Sequence, residues 1–141
     1  MAKGLKSLIR LSAWSVDEKR RALGAVQDEL VTAEQMRDAL EQEIQHEQLT
    51  AEQSPHEAGL YYGNYIHQCL QRRDQIAQNI LDIQNRVSQA REELSEAYLE
   101  QKKYETVEKN RKEKEDREQD RKQQIVLDEL GLQNHTRQQG N

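Results

Sequence analysis

Apolar residues return in steps of four and three along residues 5–44, which is the spacing of a coiled-coil seam. Nine of the twelve seam positions are apolar. The seam consists of Leu5, Ile9, Ser12, Val16, Lys19, Leu23, Val26, Leu30, Ala33, Arg37, Leu40 and Ile44. A repeat of this length predicts one long helix that packs against another helix.

A second seam of the same spacing runs from residue 62 to residue 104, and eleven of its thirteen positions can bury apolar surface. It consists of Tyr62, Ile66, Cys69, Arg73, Ile76, Ile80, Ile83, Val87, Ala90, Leu94, Ala97, Gln101 and Tyr104. The composition, 34% hydrophobic and 33% charged, fits either long helices or a disordered chain. Because both seams are sustained, we favour long helices.

The only proline in the chain marks the boundary between the seams. Ser54 suits an N-cap, Pro55 suits the first helical position, and Glu57 completes a capping box. Gly131 has the chemistry of a helix stop. The expected organisation is a single coiled-coil domain over 1–141, with helix one at about 5–50, a turn at about 51–54, helix two at about 55–130 and a polar tail at 131–141.

Two long helices joined by a short turn pack as antiparallel neighbours. The predicted fold class is therefore all-α, a long antiparallel two-helix coiled-coil hairpin with the second helix overhanging. With a bend near residue 54, the numbers of two facing residues should sum to about 108. Helix two should then lose its partner beyond about residue 107, close to where its seam ends at Tyr104.

Residues 108–124 contain no apolar side chain. Helix-forming residues fill this stretch, and no Gly or Pro occurs between residues 64 and 130. Four pairs place an acid four residues before a base, the more favourable orientation on a helix. The pairs are Glu105–Lys109, Glu108–Lys112, Glu113–Arg117 and Glu118–Lys122. We therefore predict a solvated helical extension rather than disorder.

The charge distribution argues against nucleic acid as a partner. Residues 109–122 carry a net charge of only +2, whereas a nucleic-acid arm is strongly basic. The opening 22 residues carry +4, and residues 28–57 carry −8. The single cysteine excludes an internal disulfide, and we expect neither a signal peptide nor a membrane span.

The residues point to no catalytic chemistry. The histidines form no zinc-ligand spacing, and the carboxylates lie on solvated helix faces without the dry pocket that acid–base catalysis needs. The four histidines are His46, His56, His67 and His135. No Gly-rich phosphate loop is present. We therefore expect a non-enzymatic protein without cofactor, metal or small-molecule substrate.

Three apolar features lie outside the two-helix seam. Ile125, Val126, Leu127, Leu130 and Leu132 follow the charged stretch and either dock on another protein or pack locally. Tyr61, Tyr62 and Tyr65 cluster after the turn, where Tyr62 suits the core and the other two suit a partner site. Trp14 either closes the open end of the hairpin or contacts a partner.

Two stretches of the sequence resemble the FliJ-type flagellar export proteins. The first is the opening, LKSLIRLSAWSVDEKRRALG, and the second is the end, KKYETVEKNRKEKEDREQDRKQQIVLDELGL, with a K-x-Y-E motif, a charged helix and L-D-E. The resemblance implies an antiparallel coiled coil similar to a rotary-ATPase central stalk, which hydrolyses nothing itself. It implies three partners: the hexameric export ATPase, the transmembrane export gate protein and the substrate chaperones. It also implies a cytoplasmic location at the inner face of the membrane.

Carried onto this chain, the resemblance implies two binding surfaces. The ATPase-facing residues would be Leu8, Arg10, Trp14, Arg20, Arg111, Arg117, Arg121, Leu127, Asp128 and Leu130. The gate-facing residues would be Tyr61, Tyr62 and Tyr65. Two alternatives stay open: a structural homodimeric coiled coil that uses the same heptads between chains, and the equivalent stalk protein of an injectisome.

Overall fold

The computed structural model describes the backbone of residues 2–53 and 55–140 and the side chains of residues 4–53 and 62–140. Helix α1 spans Ala2–Gln53, and helix α2 spans Pro55–Gln139. The two helices pack against each other, so the predicted all-α two-helix hairpin is confirmed. Helix α2 begins at the expected proline, whereas the predicted cap at Ser54 and Glu57 lies outside the residues whose side chains are described.

The residues group into two compact units, one comprising Trp14–Tyr98 and the other comprising Met1–Ala13 with Leu99–Asn141. We call them the central unit and the terminal unit. The central unit contains two apolar clusters. One surrounds Ala33, Ile80, Ile83 and Val87, and the other surrounds Leu40, Ile44 and Cys69. The expectation that 1–141 forms a single domain stays a prediction.

Both predicted seams lie on the buried faces of the helices. Every seam residue of α1 except Arg37 is buried or half-buried, and so is every seam residue of α2 except Arg73. Burying a branched apolar side chain such as Ile80 or Val87 stabilises the fold by about 1.5–3 kcal/mol. The two exposed exceptions are polar breaks in the repeat, since a guanidinium is costly to bury without a partner.

The predicted alignment of the helices was wrong by about five residues. Among the described side chains, three ion pairs join the helices, Glu29 to Arg86, Glu41 to Arg73 and Lys19 to Glu93, and their residue numbers sum to 115, 114 and 112 rather than 108. A sum of 113 places every seam residue of α1 from Ile9 to Ile44 opposite a seam residue of α2, whereas 108 would place Ile44 opposite the polar Asn64. Core packing therefore decides the alignment.

Polar contacts flank the apolar clusters in the central unit. The Arg86 guanidinium donates to both carboxylate oxygens of Glu29, at 2.7 and 3.3 Å. Lys19 pairs with Glu93 at 3.3 Å between Nζ and Oε2. All four side chains are about half exposed, and exposed pairs contribute little to stability. These contacts are consistent with the alignment that the apolar seams select.

In the terminal unit, the start of α1 packs beside the segment of α2 that follows residue 98. Leu5 and Ile9 are half-buried, and Ser12 is buried with its hydroxyl donating to the Ile9 carbonyl at 2.8 Å. Attraction between Lys6 and Glu108 agrees with a residue sum of about 113. Ala2, the first described residue of α1, then faces residue 111, so the extension without a partner starts about four residues later than predicted.

We call residues 112–139 of α2 the C-terminal extension. The prediction that residues 108–124 are helical is confirmed, because α2 continues through them to Gln139. The predicted stop at Gly131 and the polar tail after it were wrong. Gly131 does not take the left-handed conformation that a helix stop needs, and one glycine costs a helix only about 1 kcal/mol.

The ion pairs along the extension also differ from those predicted. Within residues 62–140, none of the four expected acid-first pairs forms an ion pair. Arg111 instead pairs with Glu108 at 3.1 Å and with Glu115 at 3.9 Å. The planar guanidinium can donate to two carboxylates at once, whereas an exposed lysine gains little from a single one.

Candidate functional site

The candidate site is the apolar segment, residues 125–132, within the C-terminal extension. Its five large apolar side chains are 48–67% exposed. They are Ile125, Val126, Leu127, Leu130 and Leu132. At about 100° per residue, they leave no arc of the helix wider than about 140° without an apolar side chain. This spread distinguishes the segment from the seams of the hairpin, whose apolar side chains form a stripe on one face of each helix.

Charged residues precede the apolar segment. Arg117 and Arg121 are exposed, and the Arg117 Nε donates to the backbone carbonyl of Glu113 at 3.3 Å rather than to a carboxylate. Asp128 lies inside the apolar segment and accepts a hydrogen bond from the Gln124 amide at 3.1 Å. The charged guanidinium of Arg121 has no ion-pair partner among the described side chains and is therefore available to a partner.

Glu108 lies about one helical turn beyond Tyr104, the last seam residue of α2, and is half-buried. The hydrogen bond from Arg111 holds the pKa of its carboxyl below the ordinary value, partial burial acts in the opposite direction, and the charges of Lys112 and Lys6 add to the lowering. Ionised Glu108 therefore stabilises this part of the hairpin at pH values above its ordinary pKa. That contribution is lost as the pH falls through the lowered pKa.

Replacing Arg111 should reverse this shift. We expect Arg111→Gln to raise the pKa of Glu108 towards its ordinary value, because the main hydrogen bond to the carboxylate is removed. An NMR pH titration of the Glu108 carboxyl carbon measures this pKa. Arg117→Gln is the matched control, since Arg117 bonds a backbone carbonyl. An unchanged titration of Glu108 in Arg111→Gln would contradict the assigned cause.

Two predicted ATPase-facing residues lie on α1 in the terminal unit. Leu8 is 42% exposed and Arg10 is exposed. Leu11 and Val107 are further exposed apolar residues of the terminal unit, at 60% and 48% exposure, and sequence reasoning did not single them out. The sequence could have indicated them, because both are apolar residues at positions outside the two seams.

The other two predicted ATPase-facing residues of α1 lie in the central unit. Trp14 is 61% exposed, so its ring is not part of the core there. The Arg20 guanidinium lies over the Tyr98 ring, 5.2 Å from its centroid, and also donates to the Tyr98 hydroxyl. Arg20 therefore already has an aromatic partner within the hairpin, and such a contact contributes about 0.5–1 kcal/mol at an exposed site.

The tyrosines predicted to face the export gate differ in their surroundings. Tyr61 lies outside the residues whose side chains are described, and Tyr62 is half-buried on the seam. Tyr65 packs against the Leu40–Ile44–Cys69 cluster and donates its hydroxyl to Glu43, which raises the pKa of the phenol. Tyr65 thus joins the two helices, whatever else it contacts.

The central unit also has an open groove that sequence reasoning missed. It runs between the two helices and is lined by Ala25, Asp28, Glu29, Thr32, Ala33, Met36, Asn79 and Ile83. Met36 is 56% exposed at its edge. Finding such a groove requires the correct alignment of the helices, because it combines side chains that are more than 40 positions apart in the chain.

The described residues contain one free thiol and no cluster of metal-ligating side chains. Within residues 4–53 and 62–140, no three His, Cys, Asp or Glu side chains are grouped so that they could hold a metal ion. Cys69 is a free thiol with no exposed surface.

The family model of the flagellar FliJ protein matches residues 1–140. No curated protein and no solved structure matches the chain. The family match covers both helices, including the apolar segment, and agrees with the two-helix fold. The chain therefore belongs to the flagellar FliJ protein family and is a protein related to flagellar export.

Proposed function

We propose that this protein is a non-enzymatic, stalk-like component of the flagellar type III export apparatus. Its terminal unit inserts into the hexameric export ATPase and promotes the assembly and activity of the ring. The family match supports the flagellar apparatus over an injectisome. The apolar segment at residues 125–132 carries the proposal.

A stalk that enters a ring is contacted from several directions at once. The apolar segment suits that environment, because its apolar side chains spread over more than half of the circumference of α2 and, among the described residues of α1, none buries them. A flat docking surface would cover only one side and would leave several of the five side chains in water. Leucine burial is worth about 1.5–3 kcal/mol per side chain, so a partner that encloses the helix gains most from this arrangement.

The same proposal gives the charged residues of the extension a role. Arg117 and Arg121 are exposed beside the apolar segment, and Leu8 and Arg10 are exposed on α1 in the terminal unit. Arginine binds carboxylates with its planar fork and is favoured at protein interfaces. These residues would contact acidic and apolar groups of the ATPase. Trp14 and Arg20 stay predictions of the same contact.

The further proposed partners are the transmembrane export gate protein, with Tyr61, Tyr62 and Tyr65 as the gate-facing residues, and the substrate chaperones. The proposed location is cytoplasmic, peripheral at the inner face of the membrane at the flagellar base. Neither helix, within the described residues, is apolar enough over a sufficient length to cross a bilayer.

The proposal predicts a direct effect on the enzyme. Adding the purified full-length protein to the export ATPase of the same organism should raise its turnover and promote hexamer formation, because the inserted helix bridges several subunits. Phosphate release and mass photometry measure the two effects. Bovine serum albumin at equal concentration controls for crowding. An ATPase rate and oligomer distribution that do not respond would count against the stalk role.

A further inference from the structure

Residues 112–124 of the C-terminal extension offer a partner no apolar surface along their length. They contain no apolar side chain, and all are exposed. Apart from the contacts proposed for Arg117 and Arg121, a partner would gain little by packing against this stretch, since exposed ion pairs contribute little to stability. The stretch is nevertheless helical, although all of its side chains are exposed.

Local interactions account for that helicity. Arg111 pairs with Glu115 at the start of the stretch, and the Arg117 Nε bonds the Glu113 carbonyl one turn back. Residues of high helix propensity fill the remaining positions. Helices of this kind serve as semi-rigid spacers with a rise of about 1.5 Å per residue. From residue 111 to residue 125, the rise amounts to about 21 Å.

We propose that residues 112–124 are a self-supporting helical spacer that sets how deeply the apolar segment reaches into its partner, and that the partner detects this depth rather than the rotational angle of the helix. The angle matters less than for a one-sided helix, because no arc wider than about 140° at residues 125–132 lacks an apolar side chain. The second clause rests on the proposed function, whereas the first concerns this chain alone.

Spin-label distances in the free, full-length protein test the first clause. Labels at Glu113→Cys and Gln133→Cys are attached under native conditions, in which Cys69 has no exposed surface to react. Twenty residues of helix predict a narrow distribution centred near about 30 Å between backbone positions. A broad distribution shifted to shorter distances would overturn the spacer, whatever the ATPase does.

Two deletions that remove Arg121 and leave the net charge unchanged test the second clause. Deleting residues 118–124 shortens the helix by about 10 Å and turns the apolar segment by only about 20°. Deleting residues 120–121 shortens the helix by about 3 Å but turns the apolar segment by about 160°. Depth and angle are thereby separated.

The readout is stimulation of the purified export ATPase over a range of protein concentrations. Because both deletions lack Arg121, they are compared with the Arg121→Gln protein. Relative to it, we expect the seven-residue deletion to raise the half-maximal concentration at least about tenfold and the two-residue deletion to stay within about threefold. A two-residue deletion as damaging as the seven-residue one would overturn depth detection, and so would a seven-residue deletion without effect. Absence of stimulation by the full-length protein would instead refute the proposed function and leave the distance measurement to decide the spacer.

Discussion

Ile80→Asp is expected to unfold most of the hairpin at room temperature. Ile80 is 6% exposed and lies in the Ala33–Ile83–Val87 cluster. The substitution removes the apolar contact and places a carboxylate without a partner in the seam, which costs about 3–5 kcal/mol. That is comparable with the entire stability of many small domains. Thermal unfolding followed by circular dichroism measures the loss.

The neighbouring residue supplies the matched control. Leu81 is 54% exposed, so Leu81→Asp places the same charge one position away on the solvated face. We expect its free energy of unfolding to stay within about 0.5 kcal/mol of the unchanged protein. Equal stability losses in the two variants would mean that the seam is wrongly assigned.

Truncation after Gln124 should separate binding from folding. It removes the apolar segment and everything that follows, of which residues 125–140 are exposed, and it leaves the seams of both helices in place. The melting temperature should therefore be unchanged within about 2 °C. The apparent affinity for the export ATPase should fall by about a hundredfold or more, since several leucines that the ATPase would bury are lost.

A second truncation, after Leu132, keeps the apolar segment and removes only polar residues and glycine. We expect it to stimulate the ATPase like the full-length protein. If the protein truncated after Gln124 binds as tightly as the one truncated after Leu132, the apolar segment is not the docking element.

The seams were predictable because burial repeats with the helix itself. Val16, Leu40 and Ile83 were assigned to the core from spacing alone, and all three are buried. The alignment between the helices was not obtained, because it was estimated from the position of the bend at Pro55. Matching one seam against the other would have found it, since a sum of 113 pairs each α1 seam position from Ile9 to Ile44 with a seam position of α2.

The end of α2 was missed for a different reason. Gly131 was expected to stop the helix because glycine readily takes the left-handed conformation that ends one. That tendency is only local, and the structure shows helical bonds continuing to Gly140, whose N–H donates to the Thr136 carbonyl at 3.0 Å. A glycine without further stop signals predicts a helix end weakly.

The candidate site was predictable in part. The exposed apolar residues Leu127 and Leu130 followed from the lack of any partner beyond the seam, and their exposure agrees. The contacts of Arg20 with Tyr98 and of Tyr65 with Glu43 were not predicted, because each joins residues that are far apart in the chain. The resemblance to the family supplied the partners, which no seam pattern could identify.

The central structural claim is that α1 and α2 of one molecule pair with each other, with Glu29 facing Arg86. Crosslinking tests it most directly. The Glu29→Cys/Arg86→Cys protein, prepared with ¹⁴N and with ¹⁵N and mixed in equal amounts, is treated with a short bis-maleimide and analysed by mass spectrometry. We predict crosslinked peptide pairs that carry a single nitrogen isotope, at the mass of one chain. Mixed-isotope pairs in statistical proportion, or no crosslink between the two positions, would contradict the hairpin.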